Sequence, residues 1–374
     1  MRPSLSETRR LVIKIGTNVL AGGGSGFRLE TAAAIAQQAA ELHQRGIEVI
    51  LVSSGAIGLG AHRLGRKGRI RKIADRQACA AVGQPLLMNE YNRLFDLHHI
   101  PIAQILLTRE LLNNRDSFLN IQATVSNLLQ NGIIPICNEN DSVSTAEIGP
   151  VFGDNDNLSA HIASKLEAEL LILLTDIDAL YTADPRTDTT ASPIRLVEQV
   201  TSDLMGIAAD SSSELGTGGM RTKLEAVLIA ARAGTNVVIA DGRSPDSILR
   251  LFRNEEIGTM FLSGPRMKSR LRWIVNSAPH GIIRIDSGAT QALHAGKSLL
   301  PKGITAVEGT FHAGDVIAIN RDFHAITRMD SSQIRRIMGL HSSEIPRILG
   351  PAAIGNVVAR AEDIVQLHPT GASV

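Results

Sequence analysis

The stretch of this chain best suited to chemistry is Gly216-Thr217-Gly218-Gly219-Met220-Arg221-Thr222-Lys223. Three glycines within four residues let the backbone approach a ligand closely, because no Cβ intervenes. The run from Lys223 to Gly234 then reads as a helix closed by glycine. A glycine loop feeding a helix start offers free backbone N–H groups and a positive dipole end, both suited to phosphate. Lys223 adds a cation there. The loop is not the G-x-x-x-x-G-K-[ST] phosphate loop. Nor is it G-x-G-x-x-G, because Arg221 stands where the last glycine would fall.

A second cation, Lys14, lies inside the apolar run Leu11-Val12-Ile13-Lys14-Ile15-Gly16. It is either a lysine on an exposed or edge strand, or a cation near a strand end aimed at phosphate. An unpaired ammonium buried in a central strand is costly. Val52-Ser53-Ser54-Gly55-Ala56 reads as a strand–turn–helix junction, either a helix cap or a place where small residues admit a ligand. The segments Cys137-Asn138-Glu139-Asn140-Asp141-Ser142 and Phe152-Gly153-Asp154-Asn155-Asp156-Asn157 are dense in amides and carboxylates. They are open to three readings: a solvated loop with a helix cap at Asp154 or Asp156, a metal loop, or a ligand site. Thr175-Asp176 ends another apolar run and can contact adenine or ribose. Gly296-Lys297-Ser298 only imitates a phosphate loop, because Gln291 occupies the position of its first glycine. The histidines show no paired ligand spacing, which argues against structural zinc.

These residues must be positioned by an alternation of short apolar runs and helical stretches. Strands are expected at 11–15, 48–52, 101–107, 133–137, 170–175 and 236–240, and helices at 29–44, 70–97, 117–130 and 157–165. Near-continuous Val/Ile/Leu runs suit strands covered on both faces. The alternation predicts an α/β domain with a mainly parallel sheet. Ligands then bind beyond the carboxyl ends of the strands, which is where the polar groups fall. Near Gly264 the character changes. A basic helical stretch holds the only tryptophan, Trp273, and short β-like pieces at 281–286, 304–308 and 315–320 follow. The expected division is a first domain over 1–263, a linker over 264–279 and a small β-rich domain over 280–374.

Composition restricts the partners. The 374 residues suggest about two domains. A net charge of +1 gives no global field toward nucleic acid or membrane, and 3% aromatics argue against stacking platforms for single strands. Cys79 and Cys137 read as buried free thiols of a reducing, cytoplasmic setting. No signal peptide or run of membrane-spanning length is expected.

Taken together, these motifs resemble the amino-acid kinase family, and within it the branch that acts on glutamate. The matching pieces are Val12–Asn18, Val52–Ala56, Asn138–Asp141, Gly153–Leu158, Leu174–Asp176, Tyr181–Arg186 and Gly216–Lys223, in the family's order. Asp286–Ala289, Leu300–Ile304 and Gly314–Val316 resemble a PUA domain, an RNA-binding-type β fold. The resemblance implies an αβα sandwich with a mainly parallel central sheet, followed by a PUA-like domain. It implies transfer of the γ-phosphoryl of ATP, with Mg²⁺, to the γ-carboxylate of L-glutamate, the first step of proline synthesis. By the same match Lys14 and Lys223 flank the transferring group, and Asp156 orients both. Ser54, Asp141 and Asn155 hold glutamate. Lys14, Thr175, Asp176 and the loop Thr217, Gly218, Gly219, Met220, Arg221, Thr222 and Lys223 hold ATP. Feedback by proline, a homo-oligomer (dimer or tetramer) and RNA contact through the tail are further implications. Ala179 stands where many relatives carry glycine, and the loop between Glu147 and Gly153 is slightly longer than in some.

Overall fold

The computed structural model describes residues 2–22, 26–66, 68, 70, 72–143, 155–185, 187–201, 204–206, 219–264, 269–341, 343–350 and 357–367. Two compact units divide the chain, residues 1–266 and 267–374.

The first unit starts with β1 (Arg10–Ile15), α1 (Thr17–Leu20), α2 (Leu29–Gln44), β2 (Glu48–Ser53), α3 (Ala56–Arg63), α4 (Ile73–Asp96) and β3 (Ile102–Leu107). Next come α5 (Arg109–Asn113), α6 (Arg115–Gln130), β4 (Ile134–Glu139), α7 (Asp156–Lys165) and β5 (Leu170–Thr175). After the short β6 (Leu180–Tyr181), β7 (Pro193–Ile194) and β8 (Leu196–Val197) follow α8 (Met220–Arg232), β9 (Asn236–Asp241), α9 (Ser247–Phe252) and β10 (Thr259–Phe261). The main sheet has eight strands in the order β3-β4-β2-β1-β5-β9-β10-β8. The pairings from β3 through β9 are parallel, and β10 runs antiparallel to β9.

Strand alternation sorts the core into two layers. Leu11, Ile13 and Ile15 of β1 face one core with Ile35 of α2, Leu87 of α4 and Ile248 of α9. Val12 faces the other, with Val125 of α6, Leu158 of α7 and Leu224 of α8. Lys14 has the parity of Val12, so its side chain leaves the sheet on the α7 and α8 side. The layers are therefore helix, sheet, helix. From β1 the chain builds β2, β4 and β3 on one side, then returns through β5 and β9 on the other. The crevice of such a sheet lies where the order reverses, at the carboxyl ends of β1 and β5.

Helices α3 and α4 cross almost backbone to backbone. A Cβ at Gly60 would stand 1.8 Å from the carbonyl oxygen of Cys79, and one at Gly83 would stand 1.7 Å from that of Ala56. This contact seats the turn at the end of β2 against α4.

The second unit opens with α10 (Ser269–Asn276), β11 (Gly281–Ile285), α11 (Ser287–His294) and β12 (Ile304–Gly309). It continues with β13 (Val316–Ile319), β14 (Phe323–Ile326), α12 (Ser331–Ile337), α13 (Ile345–Leu349) and β15 (Ile364–Gln366). Its five strands lie in the order β12-β11-β13-β14-β15, around Ile283, Phe311, Ile317, Phe323 and Ile334. Asp286 caps α11 through the N–H of Ala289, and Asp330 with Gln333 forms a capping box on α12. The basic helix expected within the 264–279 linker is α10, and it falls within the second unit. Among the described residues no helix is long and apolar enough to cross a membrane.

Candidate active site

Asp156 is the centre of the site. It is the first residue of α7, fully buried, and follows Asn155, which takes the left-handed conformation at φ 55°. The N-cap position is thus Asn155, with no side-chain capping bond, where the solvated-loop reading offered Asp156; its other candidate, Asp154, lies outside the described residues. An asparagine tolerates that backbone better than most residues. A carboxylate in the first turn also suits the positive helix end.

Two lysines converge on Asp156. Lys14 Nζ lies 2.7 Å from its Oδ1, with the two side chains 1% and 0% exposed. Lys223 Nζ lies 3.2 Å from its Oδ2 and is also buried. Thr222 Oγ1 sits 3.2 Å from the same Oδ2 and 2.8 Å from the carbonyl of Gly219. Lys14 comes from a central strand and Lys223 from the first turn of α8. Both stay charged-partnered in a dry setting because one carboxylate serves the two. Two ammonium groups share one carboxylate, and the formal charge of +1 on the cluster suits an anion. Of the glycine loop, Gly219, Met220, Arg221, Thr222 and Lys223 are described; Thr217 and Gly218 lie outside the described residues.

A row of amides forms the neighbouring wall. Asn155 Nδ2 donates to the carbonyl of Ser53 at 3.0 Å, to Ser54 Oγ at 3.2 Å and to Asn138 Oδ1 at 2.8 Å. Ser54 is held by its own N–H on the carbonyl of Ile15 at 3.2 Å. Gly55, at φ 109°, makes the turn into α3 that leaves Ser54 at the crevice. Behind it, Ser53 Oγ and the buried Tyr91 hydroxyl are 2.8 Å apart, and burial pushes the Tyr91 phenol well up. Asp141 follows β4 just past Asn140, whose N–H bonds the carbonyl of Leu107. Burial raises the Asp141 carboxyl above its ordinary range, and the charge of Arg76 pulls partly the other way.

Thr175 and Asp176 close the far side at the end of β5. Asp176 accepts from Asn18 Nδ2 at 3.0 Å and from Thr175 Oγ1 at 3.2 Å. Burial pushes its carboxyl up, but these hydrogen bonds and the charge of Arg243 outweigh burial and hold it low. Arg243 also donates to the Asp176 carbonyl at 2.5 Å and lies against Asp241. Among the described residues no group of three or more His, Cys, Asp or Glu is placed to hold a metal.

The structure therefore brings Lys14, Asp156, Thr222 and Lys223 into one cluster and Ser54 and Asn155 into the adjoining one. Asp141 follows β4, the strand that carries Asn138, and Thr175 and Asp176 end β5. Sequence reading missed Gln84, Tyr91, Arg76 and Arg243, and it placed Asn18 in the site without its side-chain bond to Asp176. A glutamine within Ala80-Ala81-Val82-Gly83-Gln84-Pro85-Leu86-Leu87 was the one available signal, a polar side chain amid apolar neighbours.

The amino acid kinase family model matches residues 9–241, and the PUA domain model matches 281–349. The glutamate 5-kinase of Methanosarcina mazei is 42% identical over 366 residues, covering 95% of each chain. That of Thermosynechococcus vestitus is 45% identical over 367 residues, covering 96% of this chain and 99% of its own. That of Escherichia fergusonii is 43% identical over 368 residues, covering 96% and 100%. With the three-layer sheet and its paired lysines, these matches show that the chain belongs to the amino acid kinase family, in the glutamate 5-kinase branch that carries a PUA domain.

Proposed function

We propose that this chain transfers the γ-phosphoryl group of ATP to the γ-carboxylate of L-glutamate, giving L-glutamyl 5-phosphate and ADP, the first step of proline biosynthesis. The observation that carries this reading is the Lys14–Asp156–Lys223 cluster at the carboxyl end of the sheet.

A side-chain carboxyl titrates near pH 4.3 in water, so the acceptor is already ionised at neutral pH and needs no general base. One carboxylate oxygen attacks the γ-phosphorus, the bond to the β,γ-bridging oxygen breaks, and ADP leaves with that electron pair. The difficulty is bringing one anion up to another. Lys14 and Lys223 offset charge on the phosphoryl oxygens in flight. Asp156 accepts from both ammonium groups and fixes where they point. Gly219 and the first turn of α8 add backbone N–H groups beside Lys223. Ser54, Asn155 and Asp141 hold glutamate, with Asp141 on its ammonium. Thr175 and Asp176 contact the nucleoside.

Mg²⁺ is expected with ATP. The described side chains build no cage for it, and the oxygens of Asp156 already face lysines. Its ligands would then be mainly phosphate oxygens and water, and no step is assigned to it. Proline shares the α-carboxylate and amine of glutamate, which supports feedback at or near the glutamate site. A homo-oligomer, and a regulatory or assembly role for the second unit in preference to RNA contact, complete the reading. ADP release measured against glutamate, aspartate, acetylglutamate, carbamate and UMP tests it. Turnover with glutamate alone is expected, and preference for another acceptor overturns it.

A further inference from the structure

The amide wall runs deeper than the residues that face the crevice. Asn138 Nδ2 donates to Gln84 Oε1 at 2.8 Å, and Gln84 Nε2 donates to Gln104 Oε1 at 3.2 Å. Two backbone groups identify which atom of Asn138 and of Asn155 is the oxygen and which the nitrogen. The N–H of Glu139 donates to the side chain of Asn138 at 2.9 Å, so the atom it meets is Oδ1. The carbonyl of Ser53 accepts from the side chain of Asn155, so the atom it meets is Nδ2. Each amide carries one oxygen and one NH₂. Asn138 must then turn its NH₂ away from the crevice, and only an acceptor can stand behind it. Gln84 supplies that acceptor from α4, the helix locked to α3 through Gly60 and Gly83.

The consequence reaches the crevice. Both amide hydrogens of Asn155 are committed to Ser53, Ser54 and Asn138, which leaves its Oδ1 as the atom to offer. That oxygen accepts; it suits a donor such as an ammonium and disfavours a carboxylate. We infer that Gln84 is a positioning residue: by holding Asn138 with its oxygen toward Asn155, it makes the wall select acceptors that carry a free α-ammonium. The inference rests on the proposed function, with glutamate as acceptor.

Full-length Gln84→Met and Gln84→Glu, compared with the parent, test it. The readouts are kcat and KM for glutamate and ATP, and turnover of glutarate, which has both carboxylates but no ammonium. Methionine keeps the volume of glutamine and removes the acceptor. In Gln84→Met the KM for glutamate should rise, and the preference for glutamate over glutarate should fall, each about tenfold, the scale of one lost hydrogen bond. The KM for ATP should stay level. Gln84→Glu keeps an oxygen toward Asn138, while the exposed Gln104 can turn its NH₂ to meet it, so the preference should return close to the parent's. An unchanged preference in Gln84→Met overturns the inference. So does a loss in Gln84→Glu as large as in Gln84→Met, and the Glu variant alone decides if the Met variant fails to fold. A parent inert toward glutamate overturns the proposed function and this inference with it. An active parent with indifferent variants overturns this inference alone.

Discussion

Lys14 and Lys223 meet on opposite oxygens of one buried carboxylate, at 2.7 Å and 3.2 Å from Asp156. One is fixed by the strand that opens the sheet, the other by the helix that follows the glycine loop. Replacing either lysine by alanine should lower kcat at least about a hundredfold, as removal of one preorganised donor does. Near-parental turnover in both variants would remove the mechanism. Asp156→Asn should lower kcat and also cost about 3–5 kcal/mol of stability, because two buried ammonium groups lose their partner. Adding Lys14→Met should recover part of that stability in urea unfolding, with no recovery of rate.

Asp141 gives a pH signature. Burial raises its carboxyl, so protonation begins at a higher pH than for an exposed aspartate. Only the ionised form pairs with an ammonium. The KM for glutamate should therefore fall as pH rises through the Asp141 pKa, then level off. Asp141→Asn should raise KM and flatten this limb. Arg76→Met removes a charge that favours the carboxylate, so the limb should move to higher pH. A limb that stays put would show that Arg76 does not act on Asp141.

Much of this was legible in the residues. Strands such as 170–175 and the helix 29–44 stood out because continuous apolar runs and a 3.6-residue period are local signals. The polar groups after each strand marked the crevice. The short strands β8 and β10 left little trace, since two or three residues carry no period. The amide row was hidden for another reason. Gln84, Gln104, Asn138 and Asn155 come from a helix, two strands and a loop, and the direction of Asn138 and Asn155 is set by backbone groups of Glu139 and Ser53 that no side-chain pattern reveals. Asn155 itself was found, but not its left-handed backbone.

The crossing of α3 and α4 is the most restrictive packing in the first unit. At Gly83 an alanine Cβ would fall 1.7 Å from the carbonyl oxygen of Ala56. Backbone, not a movable side chain, stands in the way, so the helices must separate. Gly83→Ala should cost about 1–3 kcal/mol, the usual scale of overpacking. Because Ala56 follows Ser54-Gly55 directly, the KM for glutamate should rise while that for ATP holds. Chemical denaturation and steady-state kinetics on the same sample separate the two effects. A variant as stable as the parent would mean the helices part without cost.

Lys165 offers a test of burial away from the chemistry. It ends α7, is 2% exposed, and its Nζ sits 5.0 Å over the ring of Phe118. Burial lowers its pKa from 10.5 to about 7. An unfolded lysine keeps its proton up to the higher value, whereas the folded one releases it near the lower. Between them the unfolded state binds more protons, so stability rises with pH. Below about pH 7 both states are charged and the burial penalty is complete. Lys165→Met should then stabilise the protein at pH 6, and its advantage should shrink by about 1.4 kcal/mol for each pH unit above 7. Urea unfolding at pH 6 and pH 9 measures both. An advantage equal at the two values would show that the gain comes from packing and not from charge. A variant less stable than the parent at pH 6 would show that the ring and the other contacts of Lys165 outweigh the cost of burying its ammonium.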